Sequence, residues 1–167
     1  PRILAKEDED VAGFVADRLA AEGVEVRTNE AAMRVEPGRL VTAASEIPFE
    51  ELLVAVGRMP YLEKLGLENT KVKVNERGTV KVNEFCETDE PGIYAIGDVI
   101  DTAWLAHLAS KEGILVMEKI AGKKVEPIKP TLVPNCTYCD PEVASVGLTE
   151  AKAKEAGYDV KIGKFPF

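Results

Sequence analysis

The stretch Gly92-Ile93-Tyr94-Ala95-Ile96-Gly97-Asp98 decides how the rest of the chain is read. Its apolar run, bounded by Pro91-Gly92 and Gly97-Asp98, has the length of a buried strand, and a glycine at its end lets backbone and ligand approach closely. After a loop, roughly Leu105 to Ala121 predicts a helix closed by Gly122, with Ala109, Gly113, Val116, Met117 and Ile120 able to share a face. Strand, Gly-Asp, loop and helix in that order place the Asp98 carboxylate at the C-terminal edge of a sheet, where open α/β sheets take their ligands. Asp98 is then open to two roles, an acceptor of hydrogen bonds from a polyol or a simple turn aspartate.

Working outward, a second run has the same form. Leu52-Leu53-Val54-Ala55-Val56 predicts a buried strand that leaves through Gly57-Arg58-Met59-Pro60, the proline making this an exit loop. Before it, Asp8 to Glu22 predicts a helix with Val11, Phe14, Val15 and Leu19 on one face and Gly23 just past its end. Val24 to Arg27 predicts a short strand, and Met33 to Glu36 with Arg39 to Ala43 predicts a hairpin turning at Pro37-Gly38. Val72 to Val74 and Thr79 to Val82 alternate around a turn-rich Asn75 to Gly78. Beyond the closely spaced Pro127, Pro130 and Pro134, which suit a domain boundary, strands are expected at Leu132 to Tyr138, Val143 to Val146 and Asp159 to Lys164. Thr149 is placed to cap a helix that ends at Gly157.

Composition removes several function classes. With 21 basic and 29 acidic residues the net charge is −8, and no basic run interleaves with aromatics, so nucleic-acid binding is not expected. The longest apolar run is far short of the roughly 20 residues that a bilayer needs, so no membrane association is expected either. Acids follow the first residues where a secretory signal would place an apolar stretch. The chain opens on proline rather than methionine, as a processed chain or a fragment would. Three cysteines, Cys86, Cys136 and Cys139, cannot build a disulfide framework, which fits a reducing compartment, the cytoplasm by default.

The chemistry-bearing patterns are sparse. No two of the 13 glycines are two residues apart, so the Gly-rich loop of a dinucleotide site is absent from this sequence, and so is a Walker-type phosphate loop. Cys136-Thr-Tyr-Cys139 has redox or metal spacing, but it stands without a second pair and within an expected strand, where positions three apart face opposite ways. Structural thiols are the plainer expectation, and no metal site is expected. Cys86 reads as a small buried apolar side chain. His107, the single histidine, reads either as a general base or as a first-turn helix residue that packs.

These residues resemble one family. Gly92 to Asp98 looks like the second flavin motif of the FAD-dependent pyridine nucleotide–disulfide oxidoreductases, and Leu52 to Pro60 resembles their exit strand from the NAD domain. Leu105-Ala106-His107, Glu112-Gly113 and Asp140 to Gly147 are most similar to the dihydrolipoamide dehydrogenase branch. The resemblance runs in order along essentially the whole chain.

It implies an α/β fold, here a fragment of a flavoprotein with two dinucleotide-binding domains plus the start of an α+β interface domain. Residues 1–60 would be the C-terminal part of the NAD-binding domain, 61–125 the second segment of the FAD-binding domain, and 126–167 the beginning of the interface (dimerisation) domain. By the same resemblance Asp98 binds the flavin ribityl chain, Trp104, Leu105, Ala106 and His107 form the segment whose backbone meets the flavin, and Gly57 lies near NAD. Family members often carry methionine where Trp104 stands. The cofactors implied are FAD and NAD, and the reaction implied is oxidation of dihydrolipoamide by NAD through FAD and a redox disulfide. That disulfide and the catalytic histidine would lie outside this chain, which holds no catalytic residue of its own and would be inactive alone. The partners implied are a second copy of the parent enzyme and a 2-oxo acid dehydrogenase complex. A sister mercuric or glutathione reductase and a non-catalytic interaction module remain as alternatives.

Overall fold

The structure is a computed structural model that describes residues 2–165. Helices and short strands are mixed along the chain, which parts into two units. One holds the residues up to Ala55 together with those from Cys136 onward, and the other spans Val56–Asn135.

In the first unit, α1 (Glu9–Ala21) buries Ala12 and Val15, with Leu19 half-buried. The apolar stripe is therefore narrower than the sequence predicts, because Val11 and Phe14 are exposed, Phe14 to 65%. The spacing 12, 15, 19 is the i, i+3, i+7 line of one helix face, and Phe14 falls off it. Gly23 ends the helix in a left-handed conformation (φ 86°), its N–H donating to the Ala20 carbonyl. β1 (Ala32–Glu36) and β2 (Arg39–Thr42) form the expected hairpin across Pro37-Gly38, and β3 (Glu46–Pro48), which the sequence did not announce, pairs antiparallel with β2. β4 (Asn135–Thr137) and β5 (Val143–Ser145) make a two-stranded sheet. Thr149 caps α3 (Glu150–Glu155), its hydroxyl accepting from Lys152 N. The Asp8 carboxylate accepts from Glu150 N at 2.8 Å, which ties the starts of α1 and α3 together.

Several expected strands are missing. Val24 to Arg27, Leu52 to Val56 and Asp159 to Lys164 pair with nothing among the described residues, and Leu53 and Val56 are 89% and 93% exposed. A strand is held by its neighbours, and an apolar run without them has neither ladder bonds nor a covering layer. The expected strand at Leu132 to Tyr138 shrinks to Asn135–Thr137, because Pro130–Leu132 forms a 3-10 turn. Cys139 thus lies past the strand end, so the expectation of opposite strand faces for Cys136 and Cys139 does not apply.

The second unit is built on α2 (Ala106–Ile120), close to the predicted span. Its buried face is Leu108, Glu112, Leu115 and Val116, whereas Met117 and Ile120, expected on the buried face, are exposed. Leu115 and Val116 pack with Val80, Cys86 and fully buried Ile100 into a core flanked by Val72, Phe85, Tyr94 and Ile128. The runs at 72–74, 79–82 and 93–96 are held by single pairings, Val74 with Val80, Val80 with Ile100 and Glu87 with Tyr94, rather than by extended ladders.

Candidate cofactor site

Asp98 emerges from a turn, not from the end of the expected short buried strand at a sheet edge. Ile93 to Ile96 reaches it in extended backbone fixed by Ala95 N donating to Cys86 O at 3.0 Å, and Gly97–Val99 then forms one 3-10 turn. Gly97 has φ 71°, and a Cβ on it would stand 3.2 Å from Ala109 Cβ, so glycine is required both by the backbone and by the approach of α2. The approach at Gly113 is a little looser, a Cβ there meeting Ile96 Cδ1 at 3.4 Å. The turn is pinned from α2 by Glu112, which is 2% exposed and accepts from Gly97 N at 2.7 Å and from the Thr102 hydroxyl at 3.0 Å.

The Asp98 carboxylate faces outward, half exposed, and receives Arg58 Nη1 at 3.0 Å. The Arg58 guanidinium also reaches the Trp104 carbonyl at 3.4 Å and sits 5.5 Å from the centre of the Trp104 ring. Trp104 is fixed by its indole N–H, which donates to Ile100 O at 3.0 Å. Leu105 is the N-cap of α2, and the first intrahelical bond runs from Ala109 N to Leu105 O. The N–H groups of Ala106, His107 and Leu108 precede that bond and point out of the helix start, and no acid lies in this first turn. Such an end favours electron-rich or anionic groups. The His107 ring donates from Nε2 to the Pro134 carbonyl at 2.8 Å, which ties the helix start to the Pro130–Pro134 segment. Gly57, with φ 129°, is exposed beside Arg58.

The structure thus brings Asp98, Trp104, Leu105, Ala106 and His107 to one edge of the second unit, with Gly57 reaching that edge through Arg58. Sequence reasoning gave no role to Arg58 or to Glu112. Arg58 was legible only as part of an exit loop, and a glutamate in a helix ordinarily reads as solvent-facing. A carboxylate beside free helix amides and a close-approach glycine fits a ligand with hydroxyls at one end and an electron-rich group at the other, and a flavin nucleotide is such a ligand.

Cys86 is buried, and burial, with the Glu112 carboxylate nearby, pushes its thiol up to about 11. All three cysteines are free, and Cys139 Sγ donates to the Pro141 carbonyl at 3.0 Å. Among the described residues no helix is long and apolar enough to cross a membrane.

Residues 1–113 match the pyridine nucleotide-disulphide oxidoreductases. The chain belongs to that family. Residues 133–167 match the family's dimerisation domain. Among curated relatives, the dihydrolipoyl dehydrogenase of Bacillus subtilis is 44% identical over 99% of this chain and 37% of its own length. That of Thermus scotoductus is 46% identical over 100% of this chain and 38% of its own. Among solved structures, the HOCl-induced flavoprotein disulfide reductase RclA of Escherichia coli superposes with a TM-score of 0.83 at 28% identity, over 93% of this chain and 37% of that one. The chain therefore spans rather more than a third of the length of these relatives, which are oxidoreductases. The α/β fold and the family resemblance carried by Gly92 to Asp98 stand on these matches.

Proposed function

We propose that this chain is part of a flavoprotein disulfide oxidoreductase that oxidises dihydrolipoamide with NAD by way of FAD and a redox disulfide. The observation that carries this reading is the Gly97–Asp98 turn locked against the first turns of α2, with an exposed carboxylate on one side and outward N–H groups on the other. Asp98 accepts hydrogen bonds from the ribityl hydroxyls of the flavin. Trp104, Leu105, Ala106 and His107 present backbone at the start of α2, where the positive end of the helix favours the electron-rich reduced ring. Gly57 lies toward NAD, where its lack of a side chain admits the nucleotide. FAD supplies the two-electron relay between disulfide and nicotinamide. This chain's residues bind and orient, and none of them moves a proton.

The reading divides the chain at about residues 60 and 125 into NAD-domain, FAD-domain and interface-domain pieces. The dimerisation match at 133–167 supports a homodimer of the parent enzyme, and docking of that parent on a 2-oxo acid dehydrogenase complex is what the sequence resemblance implies. The free thiols support a reducing compartment, the cytoplasm. RclA's likeness favours a second reading, a flavoprotein reductase for a different disulfide.

The test is to express the full-length protein and follow NAD reduction with dihydrolipoamide. Turnover with dihydrolipoamide, and none by the present 167 residues alone, is expected. A flavin-loaded protein that reduces another disulfide and ignores lipoamide would favour the second reading, and turnover by this chain alone would overturn its assignment as a cofactor-holding piece.

A further inference from the structure

We propose that Glu112 is a positioning residue that couples the two halves of the cofactor site, holding the Gly97–Asp98 turn at a fixed distance from the first turn of α2; this rests on the flavin reading above. Glu112 lies less than two turns from the helix start at Ala106, and it is among the most buried side chains of the chain, 2% exposed. Among the described residues the bonds it makes are to neutral donors. Its two oxygens serve two donors that are five residues apart in sequence: Oε2 takes the Gly97 N–H at 2.7 Å and Oε1 takes the Thr102 hydroxyl at 3.0 Å. A carboxylate buried without a positive partner is expensive, so a neutral apolar residue would pack here at lower cost if the position served the core alone.

The bonds of Glu112 do something the core cannot. Gly97 immediately precedes Asp98, so fixing its N–H fixes the carboxylate that would take the ribityl hydroxyls. Thr102 lies two residues before Trp104, so fixing its hydroxyl fixes the entry to the helix start. The packing alongside leaves little room, since a Cβ on Gly97 would stand 3.2 Å from Ala109 and one on Gly113 3.4 Å from Ile96. Loop and helix are thus pressed together, and Glu112 sets the register between them. A buried acceptor-only group with two oxygens suits this task, because both donors are satisfied by one side chain.

The test uses the full-length protein with Glu112→Leu, Glu112→Gln and Thr102→Val. Three quantities are read: the apo-protein melting temperature, the FAD dissociation constant, and the visible absorbance and fluorescence of bound flavin. Glu112→Leu is expected to weaken FAD binding about ten- to a hundredfold, as loss of two buried hydrogen bonds to a charged acceptor implies, and to alter the flavin spectrum. Glu112→Gln is expected to stay within about threefold of the parent, since its carbonyl accepts from Gly97 N and its amide donates to the Thr102 hydroxyl. Thr102→Val is expected to lose only a few-fold, about threefold to tenfold, because one bond remains. If Glu112→Leu does not fold, the rescue by Glu112→Gln and the partial loss in Thr102→Val decide the matter. Unchanged FAD affinity and spectrum in Thr102→Val and Glu112→Leu, with only the melting temperature lowered, would overturn the positioning role, as would a glutamine variant as weak as the leucine one. A parent protein that takes up no FAD at all would overturn the flavin reading itself, and the positioning role with it.

Discussion

Two apolar runs in this chain are near twins in sequence and opposites in structure. Leu52 to Val56 ends in Gly57-Arg58, and Ile93 to Ile96 ends in Gly97-Asp98. The first is open to solvent, with Val56 93% exposed. The second is bonded on one side to Cys86 O, packed on Gly113, and stopped by a turn whose N–H is taken by buried Glu112. Their charged ends meet, Arg58 on Asp98 at 3.0 Å. The difference is not in hydrophobicity, which favours the first run if anything. It lies in partners: residues 93–97 find theirs within thirty residues of chain, in the Asn83–Glu87 turn and in α2, whereas residues 52–56 find none among the described residues. An apolar run is a request for neighbours, and only the chain around it decides whether the request is met.

Thiol reactivity should separate the two runs most widely. In a background with Cys136 and Cys139 changed to serine, Cys86 reports on the closed run and Val56→Cys places a thiol on the open one. At pH 7.5 or thereabouts the thiol at 56 is expected to alkylate more than about a hundredfold faster, since an exposed cysteine titrates near 8.5 while Cys86 is pushed up to about 11 and is covered. Equal rates would mean that residues 86 and 93–97 are not closed. The same shift has a sign in stability. The Cys86 proton is held more tightly in the folded state than in the unfolded one, so its contribution is present below the ordinary thiol value and is lost as pH rises toward about 11.

Substitution energies sharpen the contrast. Ile100→Ala removes a side chain with no exposed surface from the core that supports the closed run, and is expected to cost about 2–5 kcal/mol in denaturant unfolding. Gly97→Ala is expected to cost about 1–3 kcal/mol, because it forces a left-handed backbone and a 3.2 Å approach to Ala109. On the open run, Val56→Ser is expected to change stability by no more than about 0.5 kcal/mol. A large loss at Val56 would show that its exposure is not the state in solution.

What was legible in the sequence is what local chemistry determines. The spans of α1 and α2, the Pro37-Gly38 hairpin, the Gly23 stop and the Thr149 cap each depend on residues within a few positions of one another. The strands at 24–27, 52–56 and 159–164 were not legible as failures, because pairing depends on chain elsewhere. Asp98 was legible as a site candidate from the Gly-Asp ending alone. Glu112 was not, since its burial makes sense only once Gly97 N and Thr102 Oγ1 are known to converge on it. Arg58 was hidden for the same reason, its partner lying forty residues away.

In the proposed function the closed run delivers Asp98 to a flavin. This is tested most directly by Asp98→Ala in the full-length protein, with bound flavin measured from its visible absorbance and affinity compared at matched apo-protein melting temperature. Affinity is expected to weaken about ten- to a hundredfold, as loss of a charge-assisted hydrogen bond worth roughly 1.5–3 kcal/mol implies. Full flavin occupancy with unchanged affinity would contradict it and leave Asp98 a turn aspartate.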